Sequence, residues 1–310
     1  MESVQLEGVH HITAITGDAQ KNVDFYAGVL GLRLVKKTVN QDDPTVYHLF
    51  FADERGDAGS DLTFFEYPGA PPGRAGDGMI CGIRWRLGDE AALDFWAERL
   101  EHHGTETELD DGHLRFKDPE GLAHALKVVE TDDEPLIADH PEIPSEMALQ
   151  GFDGALAYSS NPEASRPLLE ALGFEEMEGP DGRGWEVRGQ SRGGLWGYVD
   201  PPSERGLQGA GSVHHIAWAS EMGDHEGWRE RVIAAGGRPT PVIDRFYFRS
   251  IYFREPSGVL FEIATLGPGF TVDEPLESLG EKLSLPPDYE HLREQVEPVL
   301  RPISNPRVPA

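Results

Sequence analysis

The sequence is poor in cysteine and lysine and has no long apolar run. Cys81 is the single cysteine, which excludes an internal disulfide framework and a cysteine-based metal cluster. No apolar stretch approaches the roughly 20 residues that a membrane helix needs. The first residues show no basic segment followed by an apolar core, so we expect no signal peptide. The sequence therefore predicts a cytoplasmic protein without a membrane partner.

Positive charge is also scarce. Lysine and arginine number 27 against 55 aspartate and glutamate residues, which gives a net charge of −28. Such a surface repels nucleic acid, so we expect no nucleic-acid partner. Apolar runs typical of strands recur along the chain and argue against a disordered acidic protein. The charge indicates either a solvated shell or, as we favour, a halophilic protein whose self-repulsion is screened by salt.

One pattern recurs four times along the 310 residues. It consists of a short apolar strand, a polar break, an amphipathic helix, a glycine-containing turn and further strands. The first strands of the copies lie at 9–15, 79–87, 154–160 and 212–219. In the second and fourth copies an Asp/Glu-Pro-x-Gly turn joins two strands. Each copy therefore reads as a β-α-β-β-β module.

These modules predict the fold class α+β, with two domains of curved mixed sheets and helices outside. One module leaves a sheet face open, so modules must pair. We expect the first to pair with the second and the third with the fourth. The predicted division is an N-terminal domain at 1–135, a linker at 136–149, a C-terminal domain at 150–270 and a helix-containing tail at 271–310.

The sequence Val-His-His-Ile occurs in the first strands of copies one and four. Strand alternation puts His11 on one face with Thr13, and His215 has the same phase in its own copy. The second copy has Gly82 at this position, and the third has small residues near Ala155. A lone histidine in an apolar strand is more often a hydrogen-bonded core residue. Two histidines at the equivalent position of two repeat copies predict metal ligands that converge in the folded protein.

Glu262 is the candidate third ligand, because it lies inside an apolar run where a carboxylate is costly to bury without a cation. The matching positions are Ala125 and a residue near Thr63, so the turn itself does not require an acid. Glu66 is a rival that lies three residues further along its strand. Two histidines and one carboxylate form the facial triad typical of non-haem Fe(II), and Mn(II) or Zn(II) also suit these ligands.

The doubled β-α-β-β-β pattern resembles the vicinal-oxygen-chelate superfamily, which includes glyoxalases and extradiol dioxygenases. Residues 251–262 are similar to the extradiol pattern of Tyr, an acidic residue, Pro, Gly and Glu. Catechol-cleaving members carry a histidine upstream of it, where this chain has Asp244 and Arg245. The chain instead resembles the hydroquinone ring-cleaving dioxygenases, including HHIT near the start and YHLFFADE at 47–54.

This resemblance implies a cup-shaped sheet around Fe(II), a small aromatic substrate of the hydroquinone type and O2. It implies the metal ligands His11, His215 and Glu262. It also implies catalytic roles for other polar residues, which are His10, Thr13, His214, Arg245 and Tyr252. Arg245 would favour the ionised substrate, and Tyr252 would hydrogen-bond the phenolate.

Several alternatives remain open at this point. Alternation turns His10 and His214 away from the metal face, so they either reach the pocket across a domain seam or only pack. We read His48 and His124 as structural, and Arg245 could instead form a surface ion pair. A glyoxalase-like lyase or isomerase would want four protein ligands, and a metal-free aromatic-binding protein would not need the histidines. The oligomeric state, including a homo-oligomer, stays open.

Overall fold

The computed structural model describes residues 4–179 and 182–307, and within them four β-α-β-β-β modules follow one another. A π-helical turn at Asp24–Val29 continues the first helix. The strands are β1 Val9–Thr16, β2 Arg33–Asn40, β3 Asp43–Ala52, β4 Asp61–Glu66, β5 Ile80–Leu87, β6 Thr107–Asp110, β7 His113–Lys117, β8 Ala123–Val128, β9 Phe152–Tyr158, β10 Glu175–Gly179, β11 Gly182–Arg188, β12 Gly193–Val199, β13 Val213–Ser220, β14 Ile243–Asp244, β15 Arg249–Arg254 and β16 Leu260–Thr265. The helices are α1 Ala19–Val23, α2 Glu90–His102, α3 Arg166–Ala171, α4 His225–Ala234 and α5 Arg293–Val296.

The strands form two mixed eight-stranded sheets. One has the order β14-β15-β16-β13-β1-β4-β3-β2, and the other has the order β10-β11-β12-β9-β5-β8-β7-β6. The first sheet therefore joins modules four and one, and the second joins modules three and two. The predicted α+β class with two mixed sheets is confirmed.

The expected pairing of neighbouring modules is wrong. At the centre of each sheet two first strands pair antiparallel, β1 with β13 and β5 with β9. Within a module the first strand pairs with the last, as β1 does with β4, which leaves its other edge free. Because every first strand offers such an edge, the repeat pattern does not determine which modules meet. Each sheet combines strands from both sides of the predicted domain limits at 135 and 150. The limits themselves stay a prediction.

A continuous apolar core joins the two sheets. Trp196 of β12 contacts Trp218 of β13 and Phe261 of β16, with ring centroids 6.2 and 5.0 Å apart. All three rings are at most 1% exposed. Burying such large side chains stabilises each by roughly 1.5–3 kcal/mol. The helix α2 adds Trp96, which is fully buried.

The turn before β16 has the predicted form. Glu255 follows β15, and its carboxylate accepts hydrogen bonds from the backbone nitrogens of Ser257 and Val259 at 2.9 and 3.0 Å. Gly258 has a φ of +107°, a region that side chains disfavour. This turn sets the register of β16 against β15 and so places Glu262 opposite Tyr252.

The tail packs against the outer strands of the first sheet. Lys36 on β2 is fully buried, and its ammonium donates to Asp273 at 2.7 Å and to Glu274. Asp273 also accepts a hydrogen bond from the Tyr247 hydroxyl at 3.0 Å. The expected tail helix is short, a 3-10 turn at 287–292 followed by α5. Across the described ranges, none of the helices is both long and apolar enough to cross a membrane.

Candidate metal centre

Three strands of the first sheet bring His11, His215 and Glu262 together. On β13, Ala217 lies opposite both His11 of β1 and Glu262 of β16. The Nε2 atoms of His11 and His215 are 3.3 Å apart, and they lie 3.2 and 2.9 Å from Oε2 of Glu262. The three residues are 2%, 4% and 0% exposed. The predicted ligands therefore converge on one point of the sheet.

The geometry and charge of this cluster fit a divalent cation. Metal bonds to histidine and carboxylate are about 2.0–2.2 Å long, so three of them at right angles separate the donor atoms by about 3 Å. In the described part of the chain, neither Glu262 oxygen accepts a well-directed hydrogen bond although both are buried. Burial raises the pKa of Glu262, but the two imidazoles lower it more and hold it well below its usual range. A buried, ionised carboxylate needs positive charge beside it, which either protonated imidazoles or a bound cation can supply.

The position equivalent to Glu262 in module one is occupied by Thr63. On β4, Thr63 pairs with Thr13, as Glu262 of module four pairs with Ala217. The Thr63 hydroxyl lies 2.8 Å from that of Thr13. The rival Glu66 accepts a hydrogen bond from the backbone nitrogen of Ala19 instead. The described residues thus offer three ligands, and a hydroxyl stands where a fourth carboxylate would be.

A small cavity of about 40 Å³ opens onto the two candidate ligand histidines, His11 and His215. The structure brings the predicted residues Thr13, Arg245 and Tyr252 to its wall. Phe248 closes another side, with its ring 5.1 Å from that of His11. The wall therefore combines a cation, hydroxyl groups and aromatic rings around the candidate metal position.

Arg245 and Tyr252 act as a pair in this wall. The guanidinium carbon lies 5.5 Å from the centre of the Tyr252 ring, and that ring is 5.8 Å from the His215 ring. Arg245 also donates hydrogen bonds to the carboxylate of Asp42 at 3.1 and 3.3 Å, so it forms the ion pair that the sequence left open as well as facing the cavity. Burial raises the pKa of Tyr252, and Glu262 raises it further against the opposing effect of Arg245. Tyr252 is therefore a neutral phenol and can donate a hydrogen bond.

His10 and His214 lie behind the ligand histidines. Nδ1 of His10 is 2.9 Å from Nδ1 of His11, and Nδ1 of His214 is 2.8 Å from Nδ1 of His215. Burial lowers the pKa of His10 to about 3, with a further contribution from His11. Partial desolvation of its ring also lowers the pKa of His214 to about 4, although the residue keeps a surface exposed to solvent. Neither is among the described residues that line the cavity of the ligands.

His48 belongs to the cavity, although the sequence suggested only a structural role. Its Nε2 is 2.9 Å from the Thr63 hydroxyl, and its ring packs 4.0 and 4.4 Å from the rings of Phe50 and Phe65. Burial lowers the pKa of His48 well below its usual value. The sequence signal for a cavity position was that His48 lies in the strand-like run YHLFF, two residues before Phe50. His124 is 2% exposed and bonds Tyr26 and Trp85, and it also lines a larger cavity on the second sheet.

A larger cavity of about 990 Å³ lies on the second sheet. Gly82 and Ala125 line it, at the positions that correspond to His11 and Glu262. Neither residue has a side chain that can bind a metal. We therefore assign the chemistry to the smaller cavity of the first sheet.

Residues 8–125 and 153–263 match the Glyoxalase/Bleomycin resistance protein/Dioxygenase superfamily, and the chain belongs to this superfamily. It is 44% identical to the Bacillus subtilis protein named "Putative ring-cleaving dioxygenase MhqO", over 95% of this chain and 96% of that one. It is 33% identical to the chlorohydroquinone/hydroquinone 1,2-dioxygenase of Sphingobium indicum, over 98% of both chains.

Solved structures show the same fold. A Bacillus subtilis protein described as a "putative dioxygenase" superposes with a TM-score of 0.92 at 40% identity, covering 99% of this chain and 100% of that one. Glyoxalase I from Zea mays superposes with a TM-score of 0.58 at 13% identity, covering 83% and 92%. The second likeness concerns the fold alone. The first combines fold and sequence over the whole chain.

Proposed function

We propose that this chain is an Fe(II)-dependent, extradiol-type ring-cleaving dioxygenase that acts on a hydroquinone-type substrate. The observation that carries the proposal is the buried centre of two histidines and one carboxylate, with Arg245 and Tyr252 in the wall beside it. The names of the relatives support ring cleavage. Mn(II) or Zn(II) would also fit the ligands, but an oxygen-activating reaction favours iron.

When bound, the iron would supply the redox chemistry that lets an aromatic ring react with O2. The residues of the chain provide orientation and electrostatics. Arg245 attracts an ionised hydroxyl of the substrate, since its guanidinium stays charged. Tyr252 donates a hydrogen bond to that oxygen, and Phe248 packs against the ring and excludes water.

The cavity favours a hydroquinone over a catechol. A catechol binds a metal through two adjacent oxygens, and its second proton needs a base. By the sequence resemblance, Asp244 and Arg245 stand where catechol-cleaving members carry a histidine, and a guanidinium does not accept a proton. The imidazole that lines this wall, His48, comes from another module and bonds the Thr63 hydroxyl. A hydroquinone has its hydroxyls on opposite sides of the ring and presents only one to the metal. A substrate with a single ionised oxygen at the metal therefore fits a cavity wall that contains the cation Arg245.

The alternatives fit less well. A glyoxalase-like lyase or isomerase commonly uses four ligands, and Thr63 occupies the place of the fourth. A metal-free aromatic-binding protein would not need two histidines that converge on a buried carboxylate. We further propose that the protein works in a salt-rich cytoplasm, which its net charge of −28 supports.

Oxygen uptake by the iron-reconstituted protein tests the proposal. The panel contains a substituted hydroquinone, a catechol and a methylglyoxal–thiol adduct. We expect uptake with the hydroquinone and its loss in His215→Ala, while the exposed His102→Ala serves as the matched control. Uptake with catechol alone would refute the substrate class. Turnover of the thiol adduct without oxygen would refute the reaction class.

A further inference from the structure

Each candidate ligand histidine is bonded through its outer nitrogen to the histidine that precedes it. The Nδ1–Nδ1 distances are 2.9 Å for His10 and His11 and 2.8 Å for His214 and His215. The two ring pairs also share an edge-on arrangement, at 85° and 79°. The same device therefore occurs twice, once in each module that contributes a histidine.

The hydrogen bond of His10 to the backbone determines where the protons lie. Nε2 of His10 is 3.0 Å from the Thr265 carbonyl oxygen, which can only accept, so this nitrogen carries a hydrogen. In a neutral imidazole the other nitrogen, Nδ1, is then an acceptor. His11 must donate its Nδ1 hydrogen to it. Nε2 of His11 is left with a free lone pair directed at the cluster.

The second pair follows the same geometry at a more open place. His214 is exposed, whereas His10 is only 6% exposed. The His214 ring also packs edge-on against Phe65, at 5.6 Å between centroids. When Nδ1 of His215 donates to His214, Nε2 of His215 likewise turns its lone pair to the cluster. Two lone pairs and a carboxylate oxygen then converge with no proton between them.

We propose that His10 and His214 are positioning residues that fix the tautomer and ring orientation of the two metal-binding histidines. The inference deepens the proposed function, since it rests on the same metal site. It assigns the acceptor role, usually filled by a carboxylate, a carbonyl or water, to a second imidazole. It also accounts for the paired histidines without requiring either first histidine to touch the substrate.

Asparagine and phenylalanine substitutions separate this role from simple packing. His10→Asn and His214→Asn keep an acceptor oxygen at the same number of bonds from the backbone as Nδ1. His10→Phe and His214→Phe keep a ring but remove the acceptor. The readout is the affinity for Co(II) or Zn(II), measured by competition with a chelator. We expect about 10- to 100-fold weaker binding in the phenylalanine variants, and recovery of most of that loss in the asparagine variants.

Thermal unfolding of the metal-free variants checks that each is folded. If the buried His10→Phe does not fold, the exposed position 214 still decides the matter. Wild-type affinity in a folded phenylalanine variant would overturn the proposal, as would asparagine variants that bind as weakly as phenylalanine. Because the readout is binding, a chain that shows the expected shifts without oxygen uptake refutes only the proposed reaction. A wild-type chain that binds no metal refutes both.

Discussion

Arg245 provides the sharpest test of the electrostatic argument. Its side chain is 19% exposed and faces the Tyr252 ring on the cavity side, while its other partner, Asp42, is 74% exposed. A hydrogen bond to a charged group inside a protein contributes about 1.5–3 kcal/mol. Replacing Arg245 with methionine removes the cation but keeps much of the packing. We expect kcat/KM for a hydroquinone to fall about 10- to 100-fold.

Asp42→Asn is the matched control for this prediction. An exposed ion pair contributes about 0–1 kcal/mol, so this variant should keep kcat/KM within about fivefold of wild type. The assay is the initial rate of oxygen uptake against substrate concentration, with metal content measured in parallel. Equal losses in both variants would mean that Arg245 acts only by holding Asp42. An unchanged Arg245→Met variant would refute the role of the cation.

Three further predictions concern stability. Lys36→Met should lower the free energy of unfolding in urea by about 1.5–3 kcal/mol, because the charged hydrogen bonds to Asp273 and Glu274 are lost; the exposed Lys282→Met should have little effect, and equal effects would refute the argument. Burial raises the pKa of Asp133, but hydrogen bonds from Arg188 and Arg86 lower it to about 2. Its stabilisation is thus present above about pH 4 and lost as the pH falls towards 2, so stability should depend less on pH over this range in Asp133→Asn than in wild type. Raising KCl from about 0.1 to 1 M shortens the screening length from about 10 to 3 Å and should raise the thermal midpoint, whereas a falling midpoint would contradict the halophilic interpretation.

The convergence of the candidate ligands could be predicted from the sequence because the repeat supplied an internal comparison. His11 and His215 share a phase in two modules, while Gly82 shows that the strand itself does not need a histidine. Glu262 was recognisable because a carboxylate in an apolar run requires compensation and Ala125 occupies the same place after an equivalent turn. Local pattern and burial were sufficient for these residues.

The remaining walls of the cavity depend on which modules meet. His48 lies on β3 and Phe248 follows β14, so they reach one cavity only because module one joins module four in a single sheet. The repeat gives every first strand the same free edge and does not specify its partner. The contact between Arg245 and Asp42 has the same origin. Alternation did predict that His10 and His214 turn away from the ligands, but their bonds to the outer nitrogens depend on the ring positions.

Because the candidate ligands come from the first and fourth modules, they are synthesised at different times. His11 emerges from the ribosome early, and Glu262 emerges only after most of the chain has been made. A partly synthesised or C-terminally truncated chain therefore lacks the complete set of ligands. Metal binding would then join the first and fourth modules and stabilise only chains that contain both. A chain that lacks the fourth module would in this way not hold the metal ion.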